Sequence, residues 1–267
     1  MTTGAIALCL ALSLLTPAAF ALDRGADGNF SKRNSAHFEL LQDVAIDKSG
    51  GFHGSRRFEQ QVLAELERAY DRLDDFLGLR PKRRIQVVIY DPDVFDRQFA
   101  GIFRFAAAGF YHGVIRIRGT TQLTTGLSRV LHHELVHAGL DSAAPSYRPP
   151  AWINEGLAEW FEARAQGKRR LNHAEASTLS RAYGQGALFS LANLSTPSFG
   201  HLGPNAAQIA YLEAYGMVDF LSRISGEDSL REICDGLVRT HDLNRTIRRV
   251  FRADLSRLEE RFFDELG

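Results

Sequence analysis

The sequence predicts an α+β fold in which a β-sheet occupies the N-terminal half and helices form the C-terminal lobe. Residues 85–90 and 109–118 have the composition of strands. Apolar residues recur at helical spacing over residues 58–76, and again from residue 206 to the end of the chain. The length of 267 residues suits one domain, and 32 basic against 32 acidic side chains give no electrostatic reason to expect nucleic acid as a partner.

The N-terminal residues 1–21 have the features of a secretory signal peptide. An apolar run is followed by Ala19-Phe20-Ala21, which has the small-x-small form of a signal-peptidase site. The run is short for a transmembrane helix, so we expect cleavage and no stable membrane span, with an uncleaved anchor as the alternative. We therefore expect an exported, periplasmic or secreted bacterial protein. The polar, glycine-rich residues 22–35 predict a flexible linker, and residues 36–267 predict the folded domain.

The elements of the N-terminal half follow from composition and periodicity. Residues 37–40 predict the beginning of a strand, and the helix over 58–76 is expected to end at Gly78, before Pro81. The strand at 85–90 is bounded by Asp91 and Pro92. In residues 109–118, isoleucines alternate with arginines at the end of the segment, which indicates a half-exposed strand.

The motif H-E-L-V-H at residues 133–137 matches the pattern H-E-x-x-H. On a helix, His133 and His137 leave the same face one turn apart, where their two nitrogens can hold one Zn²⁺ ion. Glu134 lies about 100° round the helix, beside the ion, where it can accept a proton from a metal-bound water. The alternative is a helix that carries two ordinary histidines.

The surrounding sequence favours the metal site. Apolar residues at helical spacing precede the motif, and Gly139 suits the C-terminal end of that helix. Pro149 and Pro150 predict the start of a second helix. A catalytic zinc site needs three protein ligands, and Glu155, in the first turn of that second helix, is the candidate for the third.

The C-terminal part of the chain is predicted in two sections. Residues 162–204 are rich in Gly, Ser and Asn and predict a long, partly ordered crossover over the site. From residue 206 onward the apolar spacing predicts a series of helices, the first of which ends at Gly226.

These two segments together resemble the gluzincin zinc metallopeptidases, in which H-E-x-x-H is followed by a glutamate on the next helix. The phrase W-I-N-E-G at residues 152–156 is similar to the W-L-N-E-G of the M1 aminopeptidases, and the continuation to residue 160 resembles the bacterial peptidase MA-like domains. The resemblance implies a zincin-like fold, in which an N-terminal mixed β-sheet with a long helix lies over the H-E-x-x-H helix. It also implies Zn²⁺ as cofactor, held by His133, His137 and Glu155.

The resemblance assigns further roles. In the thermolysin-like pattern an acid four residues after the ligand glutamate orients the first histidine, which implies that role for Glu159; a solvated surface glutamate is the alternative. The segment 211–221 resembles the element that carries the oxyanion-stabilising tyrosine of M1-like families. This implies a catalytic role for Tyr211, with Tyr215 as the substitute. In the remaining alternative, both phenols only pack against the core.

In gluzincins, the strand that precedes the metal-binding helix forms the edge of the sheet. The resemblance therefore implies backbone recognition of substrate by residues 109–118, with Gly109, Tyr111 and Gly113 as candidates. An ordinary edge strand blunted by arginines is the alternative. The G-x-M-E-N motif of the M1 aminopeptidases does not occur in this sequence, so aminopeptidase activity cannot be carried over.

We therefore predict a zinc metallopeptidase that hydrolyses a peptide or protein substrate through a metal-bound water activated by Glu134. Two alternatives remain: a non-catalytic, zinc-bearing binding module of the cell envelope, and a zinc hydrolase of a non-peptide amide. The sequence contains no signal from which to predict the oligomeric state or the side-chain preference.

Overall fold

The computed structural model describes residues 30–44, 53–145 and 147–267. The predicted signal peptide, residues 1–21, lies outside the described residues, as do residues 22–29 of the predicted linker. The described residues form an α+β fold with one five-stranded mixed sheet and nine helices. Among these helices, none combines the length and the apolar composition of a membrane span. The predicted α+β class is therefore confirmed.

The strands combine parallel and antiparallel pairs and all come from the N-terminal part of the chain. They are β1 (Ser31–Asn34), β2 (Phe38–Gln42), β3 (Ile85–Tyr90), β4 (Gly109–Tyr111) and β5 (Ile115–Arg118). Their order is β1-β2-β3-β5-β4, with parallel pairs in the centre and an antiparallel pair at each end. Successive residues of β3 face opposite sides, so that Val87 and Ile89 join the main core while Val88 and Tyr90 join a smaller cluster.

The first strand corrects the predicted linker over residues 22–35. Residues 31–34 pair with β2 along their whole length. Outside the ladder, the guanidinium Nε of Arg33 donates to Oε2 of the buried Glu59 at 2.7 Å. Composition indicated flexibility here because the four residues are polar, but backbone pairing to a neighbouring strand does not require apolar side chains.

Residues 109–118 form a hairpin rather than the single strand that was predicted. Gly113 has φ +70° and permits the tight turn between β4 and β5. The guanidinium of Arg116 is buried and donates to the carbonyl oxygens of His112 and Val114, each at 3.2 Å, which stabilises the turn. As a result β5 lies inside the sheet, and β4 is the edge strand on this side, opposite the edge formed by β1.

The helices account for most of the remaining chain. They are α1 (His53–Leu77), α2 (Pro92–Gln98), α3 (Thr125–Ala143), α4 (Ala151–Ala165), α5 (His173–Gly184), α6 (Pro204–Ser225), α7 (Asp228–Thr240), α8 (Leu243–Phe251) and α9 (Leu255–Asp264). The long α1 buries its apolar face against β2, α3 and α7. Helix α6 ends at Gly226, as predicted, where φ is +84°.

Two of these helices were not predicted. Helix α2 begins at Pro92, and the carboxylate of Asp91 accepts the N–H of Asp93 at 3.0 Å. Helix α5 lies within the predicted crossover of residues 162–204 and begins with a capping box between Asn172 and Glu175. Both helices are short and have few apolar residues, so the spacing of those residues does not reveal them. The capping residues at their N-termini are the stronger sequence signal.

Helix α3 continues past the predicted stop at Gly139 and ends at Ala143. A Cβ atom on Gly139 would lie 2.9 Å from Cδ2 of Leu73, which is closer than side chains normally pack. The glycine therefore serves close packing of α3 against α1 rather than helix termination.

Helix α4 is packed between α3 and α6 and has buried side chains on nearly all sides. Trp152 and Trp160 are both fully buried. At Gly156 a Cβ atom would lie 2.5 Å from the carbonyl oxygen of Ala214, so only glycine permits this approach of α4 to α6. The position of α4 is therefore constrained on two sides.

A buried carboxyl group lies on α6. Oε2 of Glu213 accepts the backbone N–H of Phe189 at 3.0 Å, while its Oε1 has no hydrogen-bond partner in the described part of the chain. Burial raises the pKa of Glu213 to about 8. The group is therefore mostly protonated at neutral pH in the folded protein.

We expect the Glu213→Gln variant to be more stable than the wild type at about pH 8, by roughly 1–3 kcal/mol. The folded protein keeps a proton up to about pH 8 that the unfolded chain releases near its ordinary pKa of 4.5. The free energy of unfolding of the wild type therefore falls as the pH rises through this window. Glutamine keeps the acceptor for Phe189 and does not titrate. Urea denaturation at several pH values measures the difference.

The exposed Glu232 on α7 provides the matched control, and Glu232→Gln should leave the pH dependence of stability unchanged. Parallel stability curves for the wild type and Glu213→Gln would contradict the assignment of a buried, protonated Glu213.

Candidate metal centre

The H-E-L-V-H motif lies in the middle of α3, where the helix is regular. The helix begins with Thr124, whose hydroxyl accepts the N–H of Leu127 at 3.1 Å. Leu131 and Leu135 are fully buried on the core side of the helix. His133 and His137 therefore emerge together on the opposite face, with their ring centres 5.1 Å apart.

Helix α4 brings Glu155 to these two rings. Pro150 caps the start of the helix, which places Glu155 in its first turns. The carboxylate Oε2 of Glu155 lies 3.2 Å from Nε2 of His133 and 3.4 Å from Nε2 of His137. In each of the two rings it is therefore Nε2 that faces Oε2 of Glu155.

These three side chains fit a Zn²⁺ ion. Two ligands at zinc bond lengths in a tetrahedral arrangement are about 3.3 Å apart, which matches both distances from Glu155. The three ligand atoms also lie within 4.8 Å of one another. Two imidazole nitrogens and one carboxylate form a donor set typical of catalytic zinc, with one position left open.

The three groups influence one another's ionisation. Burial opposes the charge of Glu155, but His137 and His133 outweigh it and hold the pKa of that carboxyl well below its usual range. Burial opposes protonation of the two rings, but the carboxylate of Glu155 outweighs it and raises the pKa of both His133 and His137. The carboxyl group of Glu155 therefore carries its negative charge at neutral pH.

Glu134 is the remaining member of the motif and lies in the wall of the cleft beside the two rings. Its side chain is buried, and its Oε2 has no hydrogen-bond partner among the described residues. Burial raises the pKa of Glu134, although the neighbouring histidines oppose the shift. A buried carboxyl oxygen without a partner is costly, and a bound ion, an ordered water or a catalytic role are the usual reasons for it.

Asn154 holds the second ring and was not assigned a role from the sequence. Nδ1 of His137 lies 3.1 Å from Oδ1 of Asn154, so its N–H can donate to the amide oxygen. This bond would leave the lone pair on Nε2, the nitrogen that faces Glu155. The signal in the sequence that could have indicated this role is the position of Asn154 directly before Glu155, the candidate third ligand.

Two acids approach the other side of His133. Oε1 of Glu159, the predicted orienting acid, lies 3.9 Å from Nδ1 of His133, which is beyond hydrogen-bonding distance. Oε2 of Glu162 lies nearer, at 3.5 Å, which is the outer limit for a hydrogen bond. Glu162 was not considered from the sequence, although its position two helical turns after Glu155 places it on the same face of α4.

The two acids differ in charge. Burial and the neighbouring Glu162 raise the pKa of Glu159 to about 7. Burial also opposes the charge of Glu162, but contacts with His133 and Arg129 outweigh it and lower its pKa. Glu162 is thus charged at neutral pH, whereas Glu159 is only partly ionised.

Of the two candidate tyrosines, the structure brings only Tyr211 to the cleft. Its ring centre is 6.4 Å from that of His133, and it also packs against Phe199. Burial and nearby carboxylates raise the pKa of Tyr211, so its phenol keeps its proton. Tyr215 is one turn further along α6 and lies against Lys168, whose Nζ is 4.6 Å from its ring centre.

The site opens into a cleft of about 980 Å³. Its walls include Gly109, Tyr111 and Gly113, the predicted substrate contacts. The hydroxyl of Tyr111 donates to Oδ2 of Asp141 at 2.8 Å, which joins β4 to α3. Gly113 belongs to the hairpin turn, so of the three predicted contacts only Gly109 and Tyr111 border the cleft as strand residues.

We expect Glu155→Gln to reduce zinc affinity by more than about 100-fold. The neutral amide removes the negative charge and the anionic ligand, and even partners outside the ligand shell cost about 10–100-fold when changed. Competition with a chelating dye measures the affinity. Glu260→Gln, an exposed change on α9, is the control and should bind zinc like the wild type. Unchanged affinity in Glu155→Gln would exclude this carboxylate as a ligand.

Comparison with known proteins identifies the family. The family model of the peptidase MA superfamily matches residues 66–266, which include α3, α4 and α6. No curated protein matches the chain. Members of this superfamily are typically metal-dependent peptidases, which suggests a metallopeptidase-like function. The match covers well over half of the sequence, and the chain therefore belongs to the peptidase MA superfamily.

Proposed function

We propose that this protein is a zinc-dependent peptidase of the gluzincin type. The observation that carries the proposal is the convergence of His133, His137 and Glu155 on one point, next to the unpartnered carboxyl group of Glu134. The cleft of about 980 Å³ is large enough for a segment of peptide. Membership of the peptidase MA superfamily supports a peptide or protein as the substrate.

The reaction is hydrolysis of an amide, and each residue has a separate task. A Zn²⁺ ion held by the three ligands would supply a Lewis acid and lower the pKa of water toward neutrality. Glu134 accepts a proton from the attacking water and then delivers it to the leaving amine. Its buried position raises its pKa, which suits a group that must both take up and release a proton.

Tyr211 is proposed to stabilise the negative charge that develops on the carbonyl oxygen of the substrate. Its phenol stays protonated and lies beside His133 in the cleft, so it can donate a hydrogen bond. This hydrogen bond would strengthen as the charge forms and therefore act on the rate rather than on substrate affinity.

The backbone of β4 is proposed to bind the substrate in an extended conformation. Within the described residues β4 pairs with β5 alone, so its other side can accept a further strand. A Cβ atom on Gly109 would lie 2.7 Å from Cγ1 of Val130, so glycine allows β4 to run close to α3. A peptide on this edge would pass next to the metal centre.

The unpartnered Glu134 favours catalysis over the alternative of a zinc-bearing binding module, which would have no use for a buried general base. If the substrate is instead a non-peptide amide, the purified protein should bind zinc but cleave no peptide.

We also propose, from the N-terminal sequence, that the domain acts outside the cytoplasm after removal of residues 1–21.

We expect Glu134→Gln to bind about one zinc ion per chain and to lose about 100-fold or more of the peptidase activity. Glutamine has nearly the same shape but cannot accept the proton, and general-base catalysis typically contributes 10²–10⁴-fold. Digestion of a peptide library, read by mass spectrometry with and without chelator, measures the activity, and elemental analysis measures the zinc.

Glu260→Gln serves again as the matched control and should cleave the library normally. If Glu134→Gln cleaves as fast as the wild type, the proposed general base is wrong. If the zinc-loaded wild type cleaves no peptide, the proposed peptidase function is wrong.

We expect Tyr211→Phe to lower kcat by about 10–1000-fold with little change in zinc content, because it removes one hydrogen-bond donor to the developing charge. The matched change Tyr215→Phe should leave kcat within about 3-fold, since that hydroxyl has no hydrogen-bond partner among the described residues. Steady-state kinetics on the best library substrate separates the two. A large loss in Tyr215→Phe and none in Tyr211→Phe would reverse the assignment.

A further inference from the structure

We propose that Glu162, held by Arg129, is the positioning residue that orients the ring of His133 for metal binding. Glu159, the acid one turn after the ligand glutamate, does not have this role. The proposal rests on the metal centre proposed above and concerns how one of its ligands is held in place.

The first argument is how the two acids are held. Glu162 is buried, with a side chain 7% exposed, and ion-paired to Arg129. The Glu159 side chain is 25% exposed and has no hydrogen-bond partner among the described residues. A group that orients another must itself be fixed, because a free rotamer loses its preferred position.

The second argument is which oxygen of Glu162 remains available. Both Nε and Nη2 of Arg129 donate to the same oxygen, Oε1, with Nε at 2.9 Å. Oε2 is therefore not used by the arginine, and this is the oxygen that lies 3.5 Å from Nδ1 of His133. The arginine thus fixes the carboxylate with its second oxygen directed at the ring.

The third argument is the position of Arg129 in the sequence. It precedes His133 by one helical turn, so both side chains leave the same face of α3. Helix α3 thus presents the histidine and the residue that fixes its partner, while α4 presents Glu162 between them.

The consequence of this contact is a fixed tautomer. If Nδ1–H of His133 donates to Oε2 of Glu162, the lone pair of the ring is on Nε2. Nε2 is the atom that lies 3.2 Å from Glu155 and is proposed to bind the metal. Loss of the acceptor at Nδ1 therefore weakens metal binding even though no ligand is changed.

The test compares Glu162→Gln with the matched variant Glu159→Gln. In Glu162→Gln the amide oxygen must face the donors of Arg129, which turns the NH₂ group toward His133 and favours the wrong tautomer. Zinc affinity, measured by competition with a chelating dye, should fall about 10–100-fold in Glu162→Gln and less than about 3-fold in Glu159→Gln.

A second measurement reports the tautomer without any activity assay. In ¹H–¹⁵N NMR spectra of the zinc-loaded wild type, His133 should show an Nδ1–H proton shifted far downfield by its carboxylate partner. The signal should persist in Glu159→Gln and move or disappear in Glu162→Gln. A structural role alone would not change this signal selectively.

Arg129→Met is the third variant, which keeps the proposal testable if Glu162→Gln does not fold. The arginine side chain is 55% exposed, so its removal leaves the core intact. It should lower zinc affinity about 3–30-fold, less than Glu162→Gln, because the acid is present but no longer fixed. An affinity equal to that of the wild type would overturn the role of Arg129.

A larger loss of zinc affinity in Glu159→Gln than in Glu162→Gln would overturn the proposal and assign the role to Glu159. Equal losses in both variants would overturn it as well. These outcomes are distinct from a failure of the proposed peptidase function, which would appear as zinc-loaded wild-type protein that cleaves no peptide while the zinc affinities and the NMR signal behave as described.

Discussion

The antiparallel packing of α3 against α4 determines the geometry of the whole candidate metal centre. Because the two helices run in opposite directions, residues later in α4 lie opposite residues earlier in α3. Three cross-helix contacts follow this register in order: Asn154 with His137, Glu155 with His133, and Glu162 with Arg129. A shift by one residue would rotate each side chain by about 100° and separate all three pairs. The proposed metal ligation and ligand orientation therefore depend on a single packing arrangement.

Glycine and proline positions maintain this arrangement from outside the centre. Pro150 fixes the start of α4, and Gly156 allows the helix to approach α6 so closely that a Cβ atom would lie 2.5 Å from a backbone oxygen. Gly139 does the same between α3 and α1. Small residues at these contacts reduce the distances between helices, and the buried side chains around them leave little freedom to slide. The centre is thus supported by rigid elements on both sides.

The parts of the structure that depend on spacing within one element could be predicted from the sequence. The one-turn separation of His133 and His137 is a local property of a helix, and the strand at residues 85–90 is recognisable from its composition. The contact of Arg129 with Glu162 could not be predicted, because it depends on the register between two helices. The hairpin at residues 109–118 also depends on a contact that spacing does not reveal. The alternation of Arg116 with isoleucine indicated an exposed side chain, but its guanidinium is buried and stabilises the turn at Gly113.

The short length of β4 has a consequence for the behaviour of the protein at high concentration. An exposed sheet edge offers free backbone groups to any extended chain, including a second copy of the same protein. With only Gly109–Tyr111 available before the turn, two copies could form few hydrogen bonds across such an edge, too few to hold folded molecules together. A peptide bound as proposed would gain further contacts from the walls of the cleft. The short length of β4 thus leaves room for the proposed substrate strand and limits edge-to-edge pairing of β4 between two molecules.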